Sequence, residues 1–226
     1  MVAGVVAPPY ALEQPSRWLI ARFSQPWNVL SWCVVNGGFQ RTKTVAWLYL
    51  RDNEIATVTD TADWIRAAMH AEGLSDAVSF MTSRRAHTWV ETSAREGDCQ
   101  TWAIGTIGLS NALRVGDPAG KSSCGTINLL VCVNTPLTTE AALEALCIAT
   151  EGKTLAMLES GMPSVASQAP ATGTGTDYLA VAWPVTGSPT PYSGKHTAAG
   201  AAIGRAAFAT VAEGIARWQE ENGARL

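Results

Sequence analysis

Residues 126–138 read Thr126-Ile127-Asn128-Leu129-Leu130-Val131-Cys132-Val133-Asn134-Thr135-Pro136-Leu137-Thr138. The apolar run from Thr126 to Val133 is broken only by Asn128 and reads as a buried strand. Pro136-Leu137-Thr138 then leads into a helix that extends to about Ser160 and stops at Gly161. Leu143, Leu146, Cys147, Thr150, Thr154, Met157 and Leu158 fall on one arc of it, the face expected to pack.

Downstream, a Ser, Ala and Gly-rich loop covers 164–175, a strand covers 178–183, and Pro184 stops it. A further Pro, Gly and Ser loop leads to a last helix over about 197–219. Ile203, Ala207, Val211, Ile215 and Trp218 share one face of that helix, and its many Ala and Gly residues let it lie close to a sheet. Upstream, residues 18–23, 29–35 and 44–50 read as strands, with a turn at Asn36-Gly37-Gly38. A helix is expected over 61–72, capped by Thr61 and ended by Gly73. Strands follow at 77–81, 87–92 and 100–107. No repeat is visible, and no linker is long enough to demand two domains. The expectation is one α+β domain over 1–226, with mixed β-sheet packed against about three helices.

The 226 residues are 47% hydrophobic and 15% charged, which argues against disorder. Lys and Arg number 16 against 19 Asp and Glu, and no basic cluster stands out, so nucleic acid is a poor partner. The N-terminus lacks a positive n-region and Pro8-Pro9 cuts its apolar run, so neither a signal peptide nor a membrane span is expected. Five cysteines without C-x-x-C spacing read mostly as small buried hydrophobes of a reducing, cytoplasmic protein. The three histidines show no metal-ligand spacing, and no metal site is expected.

Four polar, glycine-bearing segments interrupt the apolar second half: 108–118, 125–128, 171–177 and 193–197. Each lies at the end of an expected strand or helix, where loops carry function on a rigid scaffold. Their order and spacing resemble the adenosylcobinamide amidohydrolase (CbiZ) family. The likeness rests on Ser110-Asn111-Ala112-Leu113-Arg114-Val115-Gly116-Asp117, on Gly125-Thr126-Ile127-Asn128, and on Pro136-Leu137. It continues through Ala149-Thr150-Glu151-Gly152-Lys153, residues 171–177 and Gly194-Lys195-His196-Thr197. It is strong over 77–210, weaker over 27–76, and leaves 1–25 as a weakly matched N-terminal extension. Two departures stand out. Gly152 replaces an expected Ala, loosening the helix by about 1 kcal/mol. Residues 81–87 are bulkier and more basic than the family pattern, which bears on substrate choice.

The resemblance implies hydrolysis of the amide that joins aminopropanol to the corrin ring, giving adenosylcobyric acid in cobalamin salvage. The cobalt corrinoid is then the substrate, and no cofactor of the protein's own is implied. The rival from another class is a corrinoid carrier that binds without cutting. A homo-oligomer is left open.

Amide hydrolysis needs a nucleophile, a base, donors for the oxyanion and an acid for the leaving amine. Thr126, after a glycine and at the head of a strand, is a candidate nucleophile. The run 125–137 also looks like the nucleophile strand of the DmpA-type aminopeptidases, which cut their own chain before a Ser or Thr and use the freed amine as base. If that likeness holds, the layout is an αββα layered sandwich, and an aminopeptidase-like amidase is a further reading. Otherwise Thr126 and Asn128 simply start a strand. His196 precedes the last helix, whose N-terminus favours a neutral imidazole suited to act as base. Asp177 could orient His196 or Lys195, or make an Asx-turn. Asn111, Arg114, Asp117, Asn128, Lys153, Thr174 and Thr176 are candidate substrate contacts. Arg114 and Asp117 read equally as a structural pair, and Lys153 as a snorkelling side chain. Lys153 and Glu151, two apart on a helix, cannot face each other. Nine tryptophans are many, and most belong in a core.

Overall fold

A computed structural model describes residues 6–51, 54–55, 58–120 and 124–223. In chain order its elements are β1 (Tyr10–Glu13), β2 (Trp18–Ser31), β3 (Gly38–Tyr49), α1 (Thr61–Ala71), β4 (Val78–Thr82), β5 (Val90–Glu96) and β6 (Cys99–Ile107). They continue with β7 (Ala112–Leu113), β8 (Ile127–Val133), α2 (Thr139–Glu159), β9 (Gly173–Thr174), β10 (Tyr178–Pro184) and α3 (Ala198–Asn222). Eight strands form one mixed sheet in the order β4-β3-β2-β10-β8-β6-β5, with β1 beside β2. The pairs β3–β4 and β8–β10 are parallel and the rest antiparallel. This is the α+β fold expected from the sequence.

The two strands read at 18–23 and 29–35 are mainly one long strand. β2 runs through the polar interruption as a bulge, where Phe23 to Pro26 stand against Lys43. Proline offers no N–H to a ladder, so a bulge is where a strand tolerates it. The first half of β2 pairs with β1 and the second with β10, so this strand joins two halves of the sheet. Residues 10–13 and 18–25 are thus integral strands of the sheet.

Period-two alternation along each strand sorts the core into three layers. Leu19, Ala21, Val45 and Trp47 share an inner cluster with Trp102, Ile104, Leu130 and Ala180. The sheet therefore folds its two halves face to face. Trp18, Ile20, Ala46 and Leu48 face the other way and meet α1. Leu129, Val131, Leu179 and Val181 face α2 and α3. Tyr10 Oη donates to Glu91 at 2.7 Å across the fold, and Asn128 Nδ2 donates to Met81 O at 2.8 Å. The layering is αββα.

Asp60, not Thr61, caps α1, its side chain accepting from Asp63 N at 2.9 Å. Thr138 caps α2. The expected packing arc of α2 is corrected. Leu143, Leu155 and Leu158 are exposed, while Ala141, Ala145, Ala149, Gly152 and Ala156 are buried. Small side chains win that face because α3 and the sheet lie close. A Cβ on Gly152 would stand 2.9 Å from Gly204 O and 3.1 Å from Ala207 Cβ. The departure at 152 thus sits at the α2–α3 crossing. The expected face of α3 is buried throughout.

Gly152→Ala should lower stability by about 1 kcal/mol in urea unfolding, because overpacking outweighs a helix-propensity gain of about 1 kcal/mol. Gly204→Ala should raise it by about 0.5 kcal/mol, since a Cβ there would meet only Ile148 Cγ2 at 3.5 Å. Equal gains at both positions would contradict the close crossing.

Thiol accessibility follows the same core. Burial pushes the Cys33 thiol up to about 12, and raises Cys99 and Cys132 as well. Cys124 and Cys147 are exposed. A thiol reagent at about pH 8 should label two cysteines quickly and the other three only on unfolding. Fast labelling of Cys33 or Cys132 would be the opposing result.

Candidate active site

Three of the four polar segments converge at the start of β8. Thr126 immediately precedes that strand, and Asp177 precedes β10, its parallel neighbour. The short ribbon β7–β9 pairs Ala112 with Thr174 and Leu113 with Gly173, which brings the segment after β6 alongside. α2 passes beneath and supplies Lys153.

Lys153 Nζ lies 2.6 Å from Asp177 Oδ2, with the two side chains 8% and 11% exposed. It also donates to Thr172 O at 3.1 Å. Asp177 Oδ1 accepts from Thr174 N at 3.0 Å, from Thr174 Oγ1, and from Ile127 N at 3.4 Å. A buried ion pair holds only when such bonds satisfy its remaining valences. Gly173 leaves room for it, since a Cβ there would stand 2.1 Å from Asp177 Oδ2 and 2.5 Å from Lys153 Nζ. Asp177 thus bonds back to Thr174, three residues before it, rather than forward as an Asx-turn would, and its charged partner is Lys153 rather than Lys195 or His196.

Above the pair, Thr126 Oγ1 donates to Thr176 O and lies 3.5 Å from Asn128 Oδ1. Thr176 Oγ1 donates to Gly125 O at 3.4 Å. Gly125 has φ of 131°, outside ordinary L-residue geometry, and a Cβ there would press to 2.7 Å from Asn111 N. Asn111 is 3% exposed, accepts from Gly175 N at its carbonyl, and has no partner for its Nδ2. An unpaired buried donor costs about 1–3 kcal/mol, and such orphans often mark ligand sites.

The other candidates lie elsewhere or serve the scaffold. Asn128 is fully buried and spends its amide on Met81 O and Thr106 Oγ1, stitching the two sheet halves. Arg114 and Asp117 form a turn: Asp117 Oδ2 accepts from Arg114 N at 2.9 Å, while the guanidinium donates to Pro170 O. Ser164 Oγ donates to Asp117 as well, and that bond is the main cause holding the carboxyl below its usual range. Lys195 pairs with Glu151 on the exposed side of α2, opposite to Lys153. His196 is exposed, and Thr197 caps α3 by accepting from Gly200 N at 3.0 Å. The structure does not bring Lys195 or His196 to the Lys153–Asp177 pair. Among the described residues no imidazole stands beside Thr126.

Sequence reading missed Trp32. Its Nε1 donates to Asp177 O at 2.7 Å, and it is 43% exposed, whereas the other eight tryptophans are buried or half-buried. No pattern marks it in sequence, because only the fold brings it 145 positions along the chain to Asp177. The cluster therefore offers a hydroxyl, an orphan amide donor, a paired cation and an exposed aromatic wall. Among the described residues no group of three or more His, Cys, Asp or Glu side chains is placed to hold a metal ion. No helix among them is long and apolar enough to cross a membrane.

The family model described as adenosylcobinamide amidohydrolase matches residues 9–223. The chain belongs to that family. An uncharacterized protein of Methanocaldococcus jannaschii is 28% identical over 169 residues, 74% of this chain and 64% of that one. The chain thus spans less than two thirds of that relative's length. A solved structure of a Pyrococcus horikoshii OT3 protein aligns with a TM-score of 0.46 at 10% identity, covering 92% of this chain and 79% of that one.

Breaking the ion pair from either side should destabilise the protein strongly. Lys153→Met and Asp177→Asn should each cost about 3–5 kcal/mol, with the double variant well below their sum. Urea unfolding of the three variants measures this. Two additive, sub-kilocalorie losses would show that the pair is not buried as described.

Proposed function

We propose that this family member hydrolyses the amide between aminopropanol and the corrin ring of adenosylcobinamide or a related corrinoid, at the cluster around Thr126. The family supports hydrolysis of this substrate class. The observation that carries the site assignment is the orphan Nδ2 of Asn111, buried against Gly175, on a residue whose backbone packs against Gly125, the neighbour of Thr126.

Thr126 Oγ attacks the amide carbonyl. Asn111 Nδ2–H donates to the oxyanion as charge develops there, which is when a preorganised donor is worth most. No histidine or free carboxylate lies beside Thr126 among the described residues, so the proton acceptor is assigned to the α-amine of Thr126 itself. Freeing that amine requires a cut at Gly125–Thr126. Thr126 Oγ adds to the Gly125 carbonyl, the C–N bond breaks, and the nitrogen keeps the electron pair and takes a proton. Water then hydrolyses the ester to the Gly125 carboxylate. The positive φ of Gly125 and the Thr176 hydroxyl on its carbonyl favour this route. In the substrate reaction the amine takes the Oγ proton and passes it to departing aminopropanol. Water releases adenosylcobyric acid from the ester.

Lys153 and Asp177 hold the frame, and Trp32 offers the corrin an exposed aromatic face. No cofactor of the protein's own takes part, and the cobalt arrives with the substrate. The reading places the protein in the cytoplasm, in keeping with five unpaired cysteines. The alternative of a corrinoid carrier predicts binding without release of aminopropanol.

Mass spectrometry of protein mixed with adenosylcobinamide should find adenosylcobyric acid and aminopropanol, and chains 1–125 and 126–226. Thr126→Ala should stay uncut and lose activity by at least about 1000-fold. Asn111→Ala should lower kcat by about 100-fold or more. His196→Ala should stay within about twofold. Turnover by an uncut wild-type chain would overturn the amine as base. Loss of turnover in His196→Ala would move the site to the start of α3.

A further inference from the structure

A polar cleft of about 190 Å³ opens beside this cluster, lined by Ser83, Arg84, Arg85, Ser110 and Glu221 among others. It lies between the segment after β4, the turn from β6 to β7 and the last turn of α3. The Arg84 side chain is 10% exposed. Its Nη2 donates to both oxygens of Glu221, at 2.9 and 3.1 Å. Its Nε is buried and has no partner. A guanidinium keeps its charge at any working pH, so the unmet donor cannot be relieved by losing a proton.

The lining is short of ionised acceptors. Arg85, Ser83 and Ser110 are exposed and add donors, and Glu221 is the one carboxylate of the lining. Two positive charges thus face one negative charge. The C-terminus of α3 adds a partial negative end, which opposes an anion but falls off within a turn. The cleft shares a wall with the hydrolytic cluster. A Cβ on Gly108 would stand 3.3 Å from Arg84 Cδ and 3.5 Å from Thr126 N.

We propose that this cleft is an oxyanion subsite that takes a phosphate group carried by the ligand. The non-bridging oxygens accept from Arg84 Nε, from the Arg85 guanidinium and from the two serine hydroxyls. Several donors around one small cleft suit an anion with several acceptor oxygens, and arginine matches phosphate geometry well. Glu221 holds the Arg84 fork while the cleft is empty and competes with the incoming anion. As a subsite of the hydrolase, the proposal rests on the reading of the Thr126 cluster above. As an anion site it stands alone.

Calorimetric titration of the full chain with inorganic phosphate and with dimethyl phosphate, at low ionic strength, tests it. Both should bind saturably, the diester at least as tightly as the free ion. Arg85→Gln should weaken binding roughly fivefold to tenfold, and Glu221→Gln should tighten it by a similar factor. Arg85 and Glu221 are at the rim, so these variants keep a readout even if Arg84→Gln fails to fold. No saturable binding in wild type and in Glu221→Gln would overturn the proposal. So would binding unchanged in Arg85→Gln, or binding of inorganic phosphate with the diester excluded. Wild-type turnover of phosphate-free adenosylcobinamide reports on the hydrolytic reading alone, so either can fail while the other stands.

Discussion

The ion pair between Lys153 and Asp177 holds the candidate site together. Removing both charges from water costs several kcal/mol each, and their attraction offsets this only with every remaining valence met. Thr172 O takes a second proton of Lys153, and Thr174 and Ile127 N bond the other oxygen of Asp177. The pair therefore ties α2 to the turn before β10 and to the first residue of β8. Thr126, Thr176 and Asn111 are placed by those same backbone segments. Glycine at 173 is the complementary constraint, because any side chain there would occupy the space of the two charged groups.

A second constraint brings the loops to the pair. β2 bends at its bulge and carries the sheet from one half to the other, and Asn128 bonds Met81 O across the fold. Asn128 is the single polar residue in the interior of β8, and burying its amide is tolerated there because both Nδ2 protons have acceptors. The segment after β4, which holds Arg84, is thereby fixed next to the turn after β6. The close approach of α2 and α3 at Gly152 and Gly204 lets α2 lie flat enough to present Lys153 to the loops.

Much of the fold was legible in the sequence. The strand 126–133, both long helices and the face of α3 follow from apolar runs, periodicity and capping residues. The packing face of α2 was not. Its leucines mark a hydrophobic arc, yet close approach to α3 selects the alanines and Gly152, a tertiary effect that residue hydrophobicity does not report. β2 read as two strands because the apolar runs 18–23 and 29–35 are separated by a polar, proline-bearing stretch, which the strand accommodates as a bulge. Of the site, the polar segments carrying Asn111, Thr126 and Asp177 were visible as loops at element ends. The pairing of Lys153 with Asp177 was not, because 24 residues and a loop separate them. His196 drew attention through its intrinsic chemistry, but the start of α3 faces Glu144 and Glu151 rather than the cluster. Trp32 was one of nine tryptophans until the fold showed which one stays exposed.

In the proposed mechanism Thr126 forms the covalent bond to the corrinoid acyl group. The direct measurement is acid quenching of the protein during turnover of adenosylcobinamide, followed by peptide mapping by tandem mass spectrometry. A cobyric acyl ester is expected on the peptide that contains Thr126, present during turnover and absent without substrate. Steady release of aminopropanol with the acyl group on another residue, such as His196 or Lys195, would contradict it.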